Sequence, residues 1–211
     1  MGGNLDKSVI DNLLHNYNLK WPRVFIETGT YQPVKIPKTG ELRIPTIFHM
    51  SPHFEQLYTI EIVEDIHNNS VNFVNSLENP YSDASNKINF ILGSSQEKLK
   101  EVCKIVDKPA MFYLDGHYSA DWNGVKTGRS GKEKDVPLYE ELQIIHDHFQ
   151  NQAIIVCDDL RLFGGNYDHG DWSKISVKKA KQIVEDRLIA SEEDSCAKDT
   201  LVLILKEIKN K

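Results

Sequence analysis

Met111-Phe112-Tyr113-Leu114-Asp115-Gly116-His117-Tyr118 decides how the rest of the chain reads. Its apolar half does not alternate with polar residues, so it predicts a strand buried on both faces, as in a parallel sheet. It then breaks into an acid, a glycine and a histidine. The pattern returns in Ala153-Ile154-Ile155-Val156-Cys157, which ends in Asp158-Asp159. Ligands of open α/β sheets bind in the crevice outside the carboxyl ends of the strands. Three carboxylates and an imidazole delivered to that edge describe a site for a hard cation and a proton acceptor.

Working outward, strand patterns alternate with helical ones. Strands are predicted at Val24–Glu27, Leu57–Ile62, Ile88–Gly93, Ala110–Leu114 and Ile154–Cys157. Helices are predicted over residues 5–17, around Thr46–Phe54, and at Glu64–Leu77, Gln96–Val106, Leu138–Phe149 and Val177–Glu185. Leu188–Ala190 and Leu201–Leu205 predict a terminal hairpin around the polar turn Ser191–Asp199, adding an antiparallel edge strand. Tyr31–Pro45 and Gly116–Lys134 read as loops. This order predicts an α/β fold: a mostly parallel sheet with helices on both faces, in one domain over residues 1–211.

The 211 residues carry 25 basic and 31 acidic side chains, a formal net charge of −6 that predicts no nucleic-acid or anionic-membrane partner. Apolar runs are strand-sized, too short for a membrane span. Cys103, Cys157 and Cys196 are widely spaced and form no CxxC pair. They read as reduced thiols of a soluble, cytoplasmic protein rather than a disulfide or zinc framework.

Three successive strand ends suit a nucleoside ligand. Glu27-Thr28-Gly29-Thr30 closes the first strand with a glycine that permits close approach to the backbone. Glu61 ends the second, where an acid can take both ribose hydroxyls, and Gly93-Ser94-Ser95 ends the third. Singly, each reads as readily as a turn glycine or a solvated acid; together they favour a ligand. The sequence lacks both GxGxxG and GxxxxGK[ST], so a ligand with adenosine but no pyrophosphate fits best, and S-adenosylmethionine is such a ligand.

Phe25-Ile26-Glu27-Thr28-Gly29-Thr30, Tyr58-Thr59-Ile60-Glu61, Leu114-Asp115-Gly116-His117-Tyr118 and Val156-Cys157-Asp158-Asp159 resemble class I S-adenosylmethionine-dependent methyltransferases. Within that Rossmann-like superfamily they are similar to metal-dependent sugar O-methyltransferases of the macrocin O-methyltransferase type. A further similarity is to methyltransferase domains joined to glycosyltransferases in large algal-virus glycan-building proteins. The resemblance implies a seven-stranded sheet and a carbohydrate acceptor. It implies S-adenosylmethionine held by Glu27, Thr28, Gly29, Thr30, Glu61, Gly93, Ser94, Ser95 and Asp115. It implies Mg²⁺ or Mn²⁺ held by Asp115, Asp158 and Asp159, with His117 or Asp115 as the base. One departure stands out: Gln32–Pro45 intervenes where a helix usually follows the glycine turn directly.

Each residue also has a plainer reading. Asp158-Asp159 could cap a helix, and His117 could be a loop bystander. Tyr118, Trp122 and Trp172 could stack on a sugar or pack under a loop. Lys126, Arg129, Lys132 and Lys134 read as a solvated loop more readily than as a lid. Competing functions are a catechol-type or small-metabolite O-methyltransferase, a metal-dependent glycosyltransferase using a nucleotide sugar, and a non-catalytic adenosine-binding module.

Overall fold

The computed structural model describes residues 5–36, 38–119, 128, 136–167 and 170–208. At its centre is a seven-stranded sheet of β1 (Val24–Thr28), β2 (Gln56–Glu61), β3 (Ile88–Leu92), β4 (Ala110–Leu114), β5 (Ala153–Cys157), β6 (Leu188–Glu193) and β7 (Leu201–Leu205). Their spatial order is β6-β7-β5-β4-β1-β2-β3. β1 to β5 pair in parallel, and β7 runs antiparallel to both of its neighbours. This is the mostly parallel sheet with a C-terminal hairpin that the sequence predicts.

The hairpin's placement differs in one respect. The antiparallel strand is not at the edge: β7 is inserted between β5 and β6, and β6 forms the border. The residues explain why. All of Leu201–Leu205 is buried, so β7 needs a partner on each side. β6 ends in Ser191, Glu192 and Glu193, polar residues that an edge strand tolerates.

The helices are α1 (Lys7–Asn16), α2 (Thr46–Met50), α3 (Glu64–Val74), α4 (Ser82–Ser85), α5 (Ser95–Ile105), α6 (Leu138–His148) and α7 (Val177–Ile183). Strand side chains alternate between faces, so β1 places Ile26 on the face covered by α5, α6 and α7 and Phe25 on the face covered by α1, α2 and α3. Helical spacing supplies the other half of each core: Ile10, Leu13 and Leu14 from α1, and Leu138, Leu142 and Ile145 from α6. Each such side chain contributes about 1.5–3 kcal/mol when fully buried. α1 starts where Asp6 accepts from the Val9 N–H at 3.0 Å.

Two segments carry more structure than the sequence predicts. α4 lies where no helical pattern signals it, and within Tyr31–Pro45 the pairs Val34–Lys35 and Leu42–Arg43 form a small antiparallel ribbon. Among the described residues, no helix is long and apolar enough to cross a membrane. The strand order turns back on itself between β1 and β4, and the crevice at their carboxyl ends follows from that reversal.

Candidate active site

A cleft opens at this reversal. Its described lining includes Gly29, Thr30 and Tyr31 after β1, Glu61 and Ile62 at the end of β2, and Gly93–Gln96 after β3. The other wall is Asp115–Ser119 after β4. Residues far apart in sequence are thus brought together because every parallel strand ends at one edge.

Gly29 is required twice over: its φ is +80°, and a Cβ there would run into the Asp115 carbonyl. Gly29 N–H donates to the Ile60 carbonyl at 2.9 Å, and Gly93 N–H to that of Glu61 at 2.8 Å. Glu61 Oε1 accepts from the Val63 N–H at 2.7 Å, and burial pushes its carboxyl up to about 7. Ser94 and Ser95 open α5.

Glu27 and Thr28 sit behind this lining. Glu27 is buried; it accepts from Thr59 Oγ1 at 2.8 Å and from the Ile47 N–H in α2, and burial pushes it up to about 8. Thr30 and Thr59 pair through their hydroxyls. Glu27 therefore braces the turn from below.

On the other wall, the His117 side chain is only 6% exposed and lies between two acids. Its Nε2 is 2.9 Å from Asp159 Oδ2, and its Nδ1 is 3.4 Å from Asp115 Oδ1. Its ring meets Trp172 edge-on at 4.9 Å, and Phe163 stacks on Trp172 at 5.7 Å. Trp172 is buried, so it supports His117 and does not present a face for a sugar. Tyr118 and Ser119 line the cleft. Trp122, Lys126, Arg129, Lys132 and Lys134 lie outside the described residues.

Asp158 and Asp159 do different things. Asp159 has a left-handed backbone, φ +58°, which turns the two carboxylates apart. Asp158 points inward: its Oδ2 accepts from Tyr113 Oη at 2.6 Å and its Oδ1 from the Asp159 N–H at 2.8 Å. Asp159 faces His117 and Arg161, whose Nη1 also pairs with Asp199. Burial opposes ionisation of Asp159, but His117 and Arg161 prevail and hold its carboxyl below the ordinary value. Asp159 precedes a short 3₁₀ turn without a side-chain capping bond, so capping does not account for this pair.

Asp115 moves the other way. Enclosure in the crevice, and then the charges of Asp158, Asp159, Glu27 and Glu141, push its carboxyl well above the carboxylate range. Such crowding of acids fits a positively charged ligand. Asp115, His117 and Asp159 can each offer one ligand atom with all three within 4.8 Å of one another, and so can Asp158, Asp159 and Asp199. The three acids read from the sequence thus fall into two clusters that share Asp159.

Glu141 escaped the sequence reading. It is 1% exposed on α6 beneath Gly116, beside the hydroxyls of Ser95 and Thr28, and burial pushes it up to about 7. A signal was present: an acid on the apolar stripe of Leu138, Leu142 and Ile145.

No family model matches this sequence, and no curated protein matches it. Among solved structures it is similar to a Klebsiella pneumoniae protein provisionally named an O-methyltransferase. That match has a TM-score of 0.50 and 13% identity, over 97% of this chain and 82% of the other. An rRNA methylase from Streptococcus thermophilus aligns with a TM-score of 0.47 and 12% identity, over 98% of this chain and 99% of the other. A fibrillarin pre-rRNA processing protein of Methanococcus jannaschii aligns at 0.46 and 14%, over 90% and 69%. The first of these shares the fold: a mostly parallel, Rossmann-like sheet.

Proposed function

We propose that this chain is an S-adenosylmethionine-dependent O-methyltransferase whose acceptor is a sugar hydroxyl. The observation that carries this reading is His117, wedged between Asp115 and Asp159 on one wall of a cleft whose opposite end is Glu61 and Gly93–Ser95. Glu61 would accept hydrogen bonds from the ribose hydroxyls, Ser94 and Ser95 would meet the adenine edge, and Gly29 allows the cofactor against the main chain. Asp115 and Asp159 would hold a divalent cation. Asp159 can do so while accepting from His117, because a carboxylate has about four lone-pair sites.

When bound, S-adenosylmethionine supplies a methyl group on a sulfonium, and the cation supplies charge that lowers the pKa of the acceptor hydroxyl. His117 does the proton chemistry. Asp159, held ionised, accepts the Nε2–H, which fixes the tautomer and leaves Nδ1 as the base on the Asp115 side. His117 Nδ1 would take the proton that the acceptor hydroxyl gives up as it receives the methyl group. The walls align acceptor and donor, and that alignment is a large share of the rate.

Net charge and the acidic cleft favour a small carbohydrate over RNA, whose phosphates such a surface repels. The test is methyl transfer from labelled S-adenosylmethionine to a panel of glycosides, catechols and RNA, with EDTA and with Mg²⁺ or Mn²⁺ restored. Label on glycosides that EDTA abolishes and the metal restores is the expected result. Label on catechols or RNA instead, full activity without metal, or binding of a UDP-sugar in place of the cofactor would overturn the reading.

A further inference from the structure

The segment that departs from the resemblance begins at the mouth of the cleft, directly after Tyr31. Tyr31 follows the glycine turn and lines the cleft, and the ribbon beyond it pairs Val34 with Arg43. The ribbon and its lead-in are fastened from outside: Asn69 Nδ2 donates to Gln32 Oε1 at 2.5 Å, Ser70 Oγ to the Tyr31 carbonyl at 3.4 Å, and Lys35 pairs with Glu78 at 2.6 Å. So placed, the Arg43 guanidinium lies over the Tyr31 ring, 5.8 Å from its centroid.

Charge gives this placement its meaning. The described lining includes the acids Glu61 and Asp115 and contains no lysine or arginine. A ligand ending in an amino acid brings an ammonium, which those acids attract, and a carboxylate, which they repel. The carboxylate therefore needs a cation, and Tyr31, which lines the cleft, carries the Arg43 guanidinium over its ring.

We propose that Arg43, carried on the inserted ribbon and steadied by Tyr31, binds the carboxylate of the cofactor's amino-acid end. The inference rests on the reading of the cleft as an S-adenosylmethionine site. Arginine has the right shape for such a contact, since its face stacks on an aromatic ring while its edge, a fork of N–H donors, matches a carboxylate. The ribbon does locally what the missing helix start would otherwise do, which is to offer positive potential beside the glycine turn.

Calorimetry with S-adenosylmethionine and with its decarboxylated form, on wild type, Arg43→Ala and Arg43→Lys, tests this without turnover. Wild type is expected to prefer the carboxylated ligand. Arg43→Ala should lose roughly 10-fold or more in affinity for it, with the decarboxylated ligand unaffected, and Arg43→Lys should recover part of the loss. Equal affinity of Arg43→Ala and wild type for S-adenosylmethionine, or an equal loss for both ligands, overturns the role of Arg43 and leaves the cofactor reading standing. Failure of wild type to bind either ligand overturns the cofactor reading and this inference with it. Arg43 is exposed, so the variants are expected to fold.

Discussion

The two ends of β5 treat buried charge in opposite ways. Before its first residue, the guanidinium of Arg187, a residue only 3% exposed, is fully engaged: Nη1 donates to the carbonyls of Ile145, His146 and Phe149, Nη2 to those of Asn151 and Lys206, and Nε again to Lys206. Three of these carbonyls close α6, where the helix dipole favours a cation. Beyond its last residue, carboxylates crowd together: Glu27, Glu61, Asp115 and Glu141 are all pushed above their ordinary values. One buried charge meets all its partners inside the chain, and its work is architectural. The others are under-compensated, and a fold keeps such a cluster at a cost in stability when a ligand or a reaction uses it.

Substitutions should separate the two ends by what they change. The largest effect is expected at His117: His117→Ala should lower kcat by roughly 10²–10⁴ and leave cofactor affinity near wild type. A variant within a few-fold of wild-type kcat would remove His117 as the base and make Asp115 the better candidate. At the other end, Arg187→Met should cost about 3 kcal/mol or more in urea unfolding, because several carbonyls lose their donor in a buried place. Affinity of the folded fraction for S-adenosylhomocysteine should not move; if it does, Arg187 reaches the site and the contrast fails.

Glu61→Ala should weaken S-adenosylhomocysteine binding by about 1.5–3 kcal/mol in calorimetry, the worth of a charge-assisted hydrogen bond; an unchanged affinity would remove Glu61 from the ribose.

The most diagnostic measurement is the pH profile of stability. Carboxyls whose folded pKa is raised, from 4.5 to about 8 for Glu27 and to about 7 for Glu61 and Glu141, bind more protons folded than unfolded in that interval. Their stabilising contribution is complete below the unfolded value and is lost as pH rises through the folded one. Urea unfolding should therefore show stability falling from about pH 5 to pH 8. Asp115→Asn should raise stability at pH 8 by about 1 kcal/mol and flatten the curve, since it removes one of the repelling charges. A profile that rises over this interval would mean that the crowding is already compensated within the chain.

Much of the site was legible because chemistry accumulates at strand ends. Gly29, Glu61, Gly93 and His117 each follow an apolar run, and all of them line the cleft. Glu27 lies in the same motif but belongs to the support, since it falls inside β1 and its carboxyl goes to Thr59 and α2. Trp172 looked like a loop aromatic and is core, because the chain after β5 folds it under His117. Arg187 gave no signal at all: its partner carbonyls are gathered from residues 145 to 206.

What the sequence determined by itself is the layer architecture. Apolar runs without alternation demand cover on both faces, intervening helical stripes supply it, and acids after those runs must fall on one edge when the strands are parallel. What only the tertiary structure decided is which groups meet. The hairpin could dock against β5 by either strand, and the unbroken burial of Leu201–Leu205 selected β7 as the inner one. Asp158 and Asp159 are neighbours of the same chemistry, yet a left-handed φ at Asp159 sends one to Tyr113 and the other to His117. Local pattern encodes burial, which depends on each residue alone; pairing depends on packing between segments that no local pattern contains.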